Sequence, residues 1–234
     1  MMGITIILLN WLLTERSDMQ RKDIAVFGVG GFGRGVLALI ENINKEEAKY
    51  NIRGFFDDGH EKGEIINGYP VLGKTEDLNL WETELAIVVS IGNPIVKKRV
   101  VDSITNSKVY YPTLIHPSVI IGAPDYVTIG DGCIICAGTI INTNIIIGNF
   151  VALNFGCTVG HDVIIKDYAA FMPSCNISGE VIIEEGVYCG TGVKIINQVQ
   201  IGEYSTIGAG AAVVNDIPAH CTAVGVPAKV IKQY

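Results

Sequence analysis

The fold is decided by residues 129–171, IGDGCIICAGTIINTNIIIGNFVALNFGCTVGHDVIIKDYAAF, and by their continuation to Val213. Every sixth residue is apolar: Ile129, Ile135, Ile141, Ile147, Leu153, Val159, Ile165, Phe171, Ile177, Ile183, Cys189, Ile195, Ile201, Ile207 and Val213. The residue two before each is small or β-branched almost throughout, as at Cys133, Thr139, Val151, Cys157 and Val163. The residue after each is often Gly or Asn, as at Gly130, Asn142, Gly148 and Gly160. Fifteen hits in one register predict a parallel β-helix. In it a short strand points one aliphatic side chain inward, and a Gly/Asn-tolerant corner turns the chain onto the next face. Three hexads then close one triangular coil of 18 residues.

The chain has 234 residues and a net charge of −7, so no basic footprint points to nucleic acid. The mean hydropathy of +0.38 is high, and stacked Ile and Val of a β-helix account for it without a membrane. The apolar stretch Gly3–Leu13 is too short to span a bilayer and has no positive flank for a signal peptide. It reads as an appended segment or as residues upstream of a start at Met19; peripheral membrane contact is the lesser reading, and the expected location is cytoplasmic. Of the six cysteines, Cys133, Cys157, Cys175 and Cys189 fall on core positions of the hexad. Buried reduced thiols explain them. Cys133 and Cys136 form a CxxC with no second pair, so no metal site is expected.

Ahead of the repeat, Asp23–Gly28 reads as a buried parallel strand. Gly28-Val-Gly-Gly-Phe-Gly33 then opens a helix predicted over Arg34–Asn44. Such glycines let backbone approach a phosphate at a helix N-terminus. A strand over Ile52–Phe56 ends in Asp57-Asp58, carboxylates able to accept hydrogen bonds from a ribose or base; solvated acids at a strand end are the plainer alternative. A strand over Leu85–Ile91 ends in Gly92-Asn93-Pro94, followed by a helix over Val96–Ser103 and a strand over Lys108–Tyr111. These predict an α/β, Rossmann-like domain over residues 19–112, behind an extension over 1–18. It is too small for a full dinucleotide fold and suits a mononucleotide-scale ligand. The hexad frame enters at Ile115 and Ile121, skips two residues at Ala123-Pro124, and gives a β-helix domain over 113–234 whose tail caps the open end.

His60, His116 and His220 read as structural or solvated. His161 differs, because it lies two residues after core position Val159 and so at a corner of the prism, followed by Asp162. The 18-residue coil places Gly179 and then Asn197 on the same edge, with rungs about 4.8 Å apart. An imidazole beside a carboxylate, near a backbone N–H, is what acyl transfer requires; an ordinary corner histidine remains the alternative. No Ser or Cys is expected at a corner beside His161, which favours direct attack over a covalent intermediate.

The stretches NFGCTVGHDVIIKDY (154–168), SGEVIIEEGVYCGTGVKI (178–195) and VGVPAKVI (224–231) resemble hexapeptide-repeat sugar acyltransferases. With GVGGFGRG (28–35), GFFDDG (54–59) and VSIGN (89–93), the likeness narrows to the sialic acid O-acetyltransferase and bacillosamine N-acetyltransferase family, the NeuD/PglD type, over about residues 22–232. The resemblance implies a homotrimer of left-handed β-helices with acetyl-CoA in the groove between two of them. It implies that His161 is the general base, Asp162 its acidic support and Gly179 the N–H donor to the thioester carbonyl. Thr191 and Ala209 match backbone contacts to the CoA arm, and Gly31, Phe32, Gly33, Asp57, Asp58 and Gly92 match positions that hold a nucleotide sugar. The chain departs from the pattern at Phe32 and Ala170, where relatives often carry His, and at Asp162, often Glu. The first two bear on the acceptor.

The reading is an acetyl-CoA-dependent acetyltransferase acting on the amine of a nucleotide-linked 4-amino-4,6-dideoxy sugar for surface glycan synthesis, without a metal. Its rivals are O-acetylation of a sialic acid-type sugar, a metal-dependent hydratase needing about three His ligands, an NAD-dependent enzyme using the glycine motif, and a non-catalytic scaffold. The nucleotide, the sugar and the acyl chain length are not written in the sequence.

Overall fold

The computed structural model describes residues 21–234; the segment Gly3–Leu13 lies outside the described residues. Strand β1 (Lys22–Phe27) leads into α1 (Gly31–Glu46), β2 (Tyr50–Phe56), β3 (Ile65–Ile66), β4 (Tyr69–Gly73), α2 (Thr75–Asn79), β5 (Leu85–Val89), α3 (Pro94–Ser103) and β6 (Val109–Tyr110). The sheet order is β3-β4-β2-β1-β5-β6, parallel except for the β3–β4 hairpin. Strands β1 and β5 are central and covered on both sides, which is why IAVF (24–27) and LAIVV (85–89) are unbroken apolar runs.

Two features of this half differ from the sequence reading. Helix α1 begins at Gly31, inside the glycine motif, because Gly33 packs with no room for a side chain: a Cβ there would lie 1.9 Å from the Gly28 carbonyl oxygen. The hairpin and short helix over 65–79 are absent from the sequence reading. The signal was present in Asn67-Gly68, both with positive φ (48° and 84°), the pair that makes a two-residue hairpin turn.

From Leu114 the chain winds into three stacked sheets. Partners lie 18 residues apart on each face: Ile134 beside Ala152, Ile140 beside Thr158, Ile146 beside Ile164. The entering coil is two residues longer on two faces, with Ile134 beside Leu114 and Ile140 beside Ile120. A 3-10 turn over Pro124–Tyr126 absorbs the excess. At the far end Thr206 pairs with Thr222, 16 residues on, and an antiparallel hairpin of Cys221–Val224 with Lys229–Gln233 closes the stack. Inward residues of every hexad form one core, and all six cysteines are buried and free. This is the expected fold class, an α/β domain followed by a left-handed parallel β-helix.

The turn chemistry needs a correction. The sequence reading assigns the turn to the Gly or Asn just after each core position. The left-handed residue stands instead three after it, at Asn144, Phe150, Asp162, Tyr168, Ser174, Glu180, Gln198 and Tyr204, with φ between 52° and 63°. The glycine just after the core position serves close stacking: a Cβ on Gly160 would lie 2.6 Å from the Ser178 carbonyl carbon of the next coil.

The two halves share a core. Leu114, Ile134 and Cys136 pack in one apolar cluster with Ile24, Val36, Leu37 and Ile40. Lys97 of α3 is 1% exposed, and its Nζ donates to the Phe150 carbonyl at 2.9 Å. Burial pulls its pKa down to about 8. The loop after β5 also reaches the β-helix, where a Cβ on Gly92 would lie 3.9 Å from Met172 Cε.

Candidate active site

One corner of the prism brings together an imidazole, a carboxylate and a backbone N–H. The backbone stacks there coil on coil: Asp162 N–H donates to Thr143 O (3.1 Å), Glu180 N–H to His161 O (2.8 Å) and Gln198 N–H to Gly179 O (3.1 Å). His161 and Gly179 are therefore direct neighbours, as the 18-residue period requires. The imidazole lies over the Gly179 Cα, so a Cβ on Gly179 would fall 2.5 Å from both His161 Cε1 and Nε2. At another corner the equivalent N–H groups are capped by side chains: Asp131 N–H donates to Asn149 Oδ1 and Asn149 N–H to Asp167 Oδ1. The Gly179 N–H makes no hydrogen bond within the described residues. It is an unpaired backbone donor on a buried glycine, beneath an imidazole.

His161 Nδ1 lies 2.7 Å from Asp162 Oδ2. The carboxylate only accepts, so Nδ1 carries a proton, and in the neutral ring Nε2 presents its lone pair. The His161 and Asp162 side chains are 52% and 49% exposed, so a substrate can reach the pair. The hydrogen bond from His161, then that from Asn144 Nδ2 to Asp162 Oδ1 at 2.9 Å, hold the Asp162 carboxyl below its ordinary range. Asn144 escaped the sequence reading, although it stands 18 residues before Asp162 and the coil arithmetic would have found it. Ser178 is a second correction. It is exposed, precedes Gly179 and stacks on Gly160, so a serine does stand at this corner; no hydrogen bond joins it to His161.

Thr191 and Ala209 are stacked on a different edge, Gly210 N–H donating to Thr191 O at 2.8 Å, and both are exposed. That edge and the His161 corner flank one face, which carries Thr158, Asn176 and Lys194. The chain does not bring them to one point. Gly92 approaches Met172 at the edge of Thr191 and Ala209.

In the first half, Gly31 and Gly33 form the first turn of α1, and Phe32 packs partly against the shared core. Arg34 donates from Nη1 to Val29 O at 3.0 Å, setting a cation beside the glycine loop. Asp57 ties that loop to the strand end, accepting from Val29 N–H (2.9 Å) and Gly59 N–H (2.8 Å). Asp58 accepts from Thr75 N–H and Oγ1, both at 2.8 Å, and so anchors the start of α2. Both acids hold loops in place. Among the described residues no three His, Cys, Asp or Glu side chains gather as a metal ligand set, and no helix is long and apolar enough to cross a membrane.

Residues 23–104 match the family model of the PglD N-terminal domain. A GDP-perosamine N-acetyltransferase of Escherichia coli O157:H7 is 33% identical over 129 residues, 55% of this chain; the match spans only 58% of that enzyme's length. Among solved structures, the acetyltransferase domain of PglB from Neisseria gonorrhoeae FA1090, in complex with acetyl coenzyme A, superposes with a TM-score of 0.82 at 31% identity, over 91% of this chain and 100% of that one. A perosamine N-acetyltransferase mutant from Caulobacter crescentus, in complex with CoA and GDP-perosamine, gives 0.81 at 25% identity, over 89% and 96%.

Proposed function

Because this chain belongs to the NeuD/PglD-type family of hexapeptide-repeat sugar acyltransferases, we propose that it transfers the acetyl group of acetyl-CoA to the amine of a nucleotide-linked 4-amino sugar, a building block for a surface glycan. The observation that carries this reading is the corner itself: an imidazole oriented by Asp162 at 2.7 Å, lying on a glycine whose N–H is unpaired.

In this mechanism His161 Nε2 accepts a proton from the acceptor nitrogen as that nitrogen bonds to the thioester carbonyl carbon. The Gly179 N–H stabilises the oxyanion. Asp162 stays ionised and supports the imidazolium. Collapse breaks the C–S bond, and the imidazolium returns its proton to the leaving CoA sulfur. Ser178 takes no covalent part. The Gly-rich loop, fastened by Asp57, and the Gly92 loop hold the nucleotide sugar, and the Thr191–Ala209 edge holds the CoA arm.

The two edges meet in a homotrimer, where the His161 corner of one copy faces the Thr191–Ala209 edge of the next. Supporting this, the faces beside the His161 corner present Ile120, Ile140, Ile146 and Ile164, each 37–58% exposed, a row of aliphatics that a second copy would cover.

The test is CoA-thiol release from acetyl-CoA with GDP-, UDP- and dTDP-linked 4-amino sugars beside free and CMP-linked sialic acid. Turnover of an amino sugar that falls about 10²–10⁴-fold in His161→Ala and persists in Ser178→Ala supports the proposal. Turnover of sialic acid alone makes the reaction O-acetylation. Equal activity of wild type and His161→Ala removes His161 as the base.

A further inference from the structure

Asp162 is one methylene shorter than the Glu that the family often carries, and the structure supplies what the shorter arm needs. Positions 144, 162, 180 and 198 form one column on the His161 corner, occupied by Asn, Asp, Glu and Gln. All four have left-handed backbone, with φ of 57°, 56°, 59° and 62°. Their side chains pair off as amide with carboxylate: Asn144 Nδ2 to Asp162 Oδ1 at 2.9 Å, and Gln198 Nε2 to Glu180 Oε2 at 3.0 Å. The first pair bears on the site proposed above. A carboxylate has two oxygens, and Asn144 takes one of them while His161 Nδ1 takes the other. The Asn144 group facing Asp162 must be its NH2, since an ionised carboxylate donates nothing.

We propose that Asn144 is a positioning residue: it fixes the Asp162 carboxylate and, through it, the orientation and tautomer of His161. This rests on His161 being the base. An exposed Asp side chain alone has several staggered rotamers, and only some place an oxygen on Nδ1. The Asn144 bond selects among them. Because Asn144 sits one coil below, on backbone fixed by the stacked ladder, it offers Asp162 a stationary donor.

Asn144→Gly tests this, since glycine accepts the left-handed backbone. Two readouts separate positioning from mere stability. The first needs no acceptor: nitrogen-15 spectra of the His161 ring. Wild type shows the Nδ1–H tautomer, and Asn144→Gly shifts the ring toward a mixture. The second is a cycle with Asp162→Glu. With Asp162 in place, Asn144→Gly lowers kcat about tenfold, the scale of a hydrogen bond to a charged group, with KM for acetyl-CoA unchanged. In the Asp162→Glu background, whose longer arm brings its carboxylate elsewhere, the same change costs at most about twofold. An unchanged tautomer in Asn144→Gly, or equal losses in both backgrounds, overturns the proposal. Full activity of His161→Ala instead overturns the base assignment and leaves the tautomer measurement to judge Asn144 by itself.

Discussion

Replacing Gly179 by alanine moves the His161 ring and leaves the coil intact. The φ of Gly179 lies outside the left-handed region, so alanine fits its backbone without strain. Its new methyl, however, would stand 2.5 Å from His161 Cε1 and Nε2 and 3.0 Å from Cδ2. Carbon contacts are comfortable from about 3.5 Å, so the ring must retreat by about 1 Å. It can do so, because half of its side chain already faces solvent. Gly179 itself is buried, but the strain falls on a half-exposed ring that can move, so thermal stability should fall by no more than about 1 kcal/mol. Catalysis should not: a 1 Å misplacement of a catalytic group costs about 10²-fold, or about 2.7 kcal/mol of transition-state stabilisation. The assay is CoA-thiol release with whichever sugar of the acceptor panel turns over, read beside a melting curve. A kcat within twofold or threefold of wild type refutes the close ring-on-glycine geometry as the seat of the chemistry. A fall in melting temperature parallel to the loss of activity refutes the claim that only the ring moves.

Two further outcomes follow from packing and burial. Lys97 has a folded pKa of about 8 against an unfolded value near 10.4. Between those values the unfolded chain holds more protons, so stability should rise with pH through that window, by roughly 3 kcal/mol at most; melts at several pH values should show the rise in wild type and its loss in Lys97→Met. The glycine loop predicts opposite signs two residues apart. Gly33→Ala drives a methyl to 1.9 Å from Gly28 O and 2.9 Å from Ser90 Oγ and should lower stability by about 1–3 kcal/mol or more. Gly35→Ala meets nothing within 4 Å in the same helix and should raise it by about 0.5–1 kcal/mol; paired denaturant titrations decide both.

Whatever the 18-residue period controls is legible in the chain. Stacked coils repeat at a fixed rise, so a residue's neighbours on its own edge are found by adding or subtracting 18. That arithmetic places His161 on Gly179 and marks out the core from Ile129 to Val213. The same logic, applied at position 162, leads to Asn144. Tertiary structure decided what has no period. Which backbone position turns the corner depends on how the coils stack: glycines after the core residues relieve contact with the next coil, while the left-handed residue follows later. The employment of Asp57 and Asp58 depended on where Val29, Gly59 and Thr75 came to rest. The burial of Lys97 depended on the docking of α3 against the Phe150 corner. The separation of His161 from Thr191 and Ala209 was in fact written in the hexad count, which assigns them to different edges. The groove proposed between copies was not, because surfaces that meet between chains are set by no repeat within one chain.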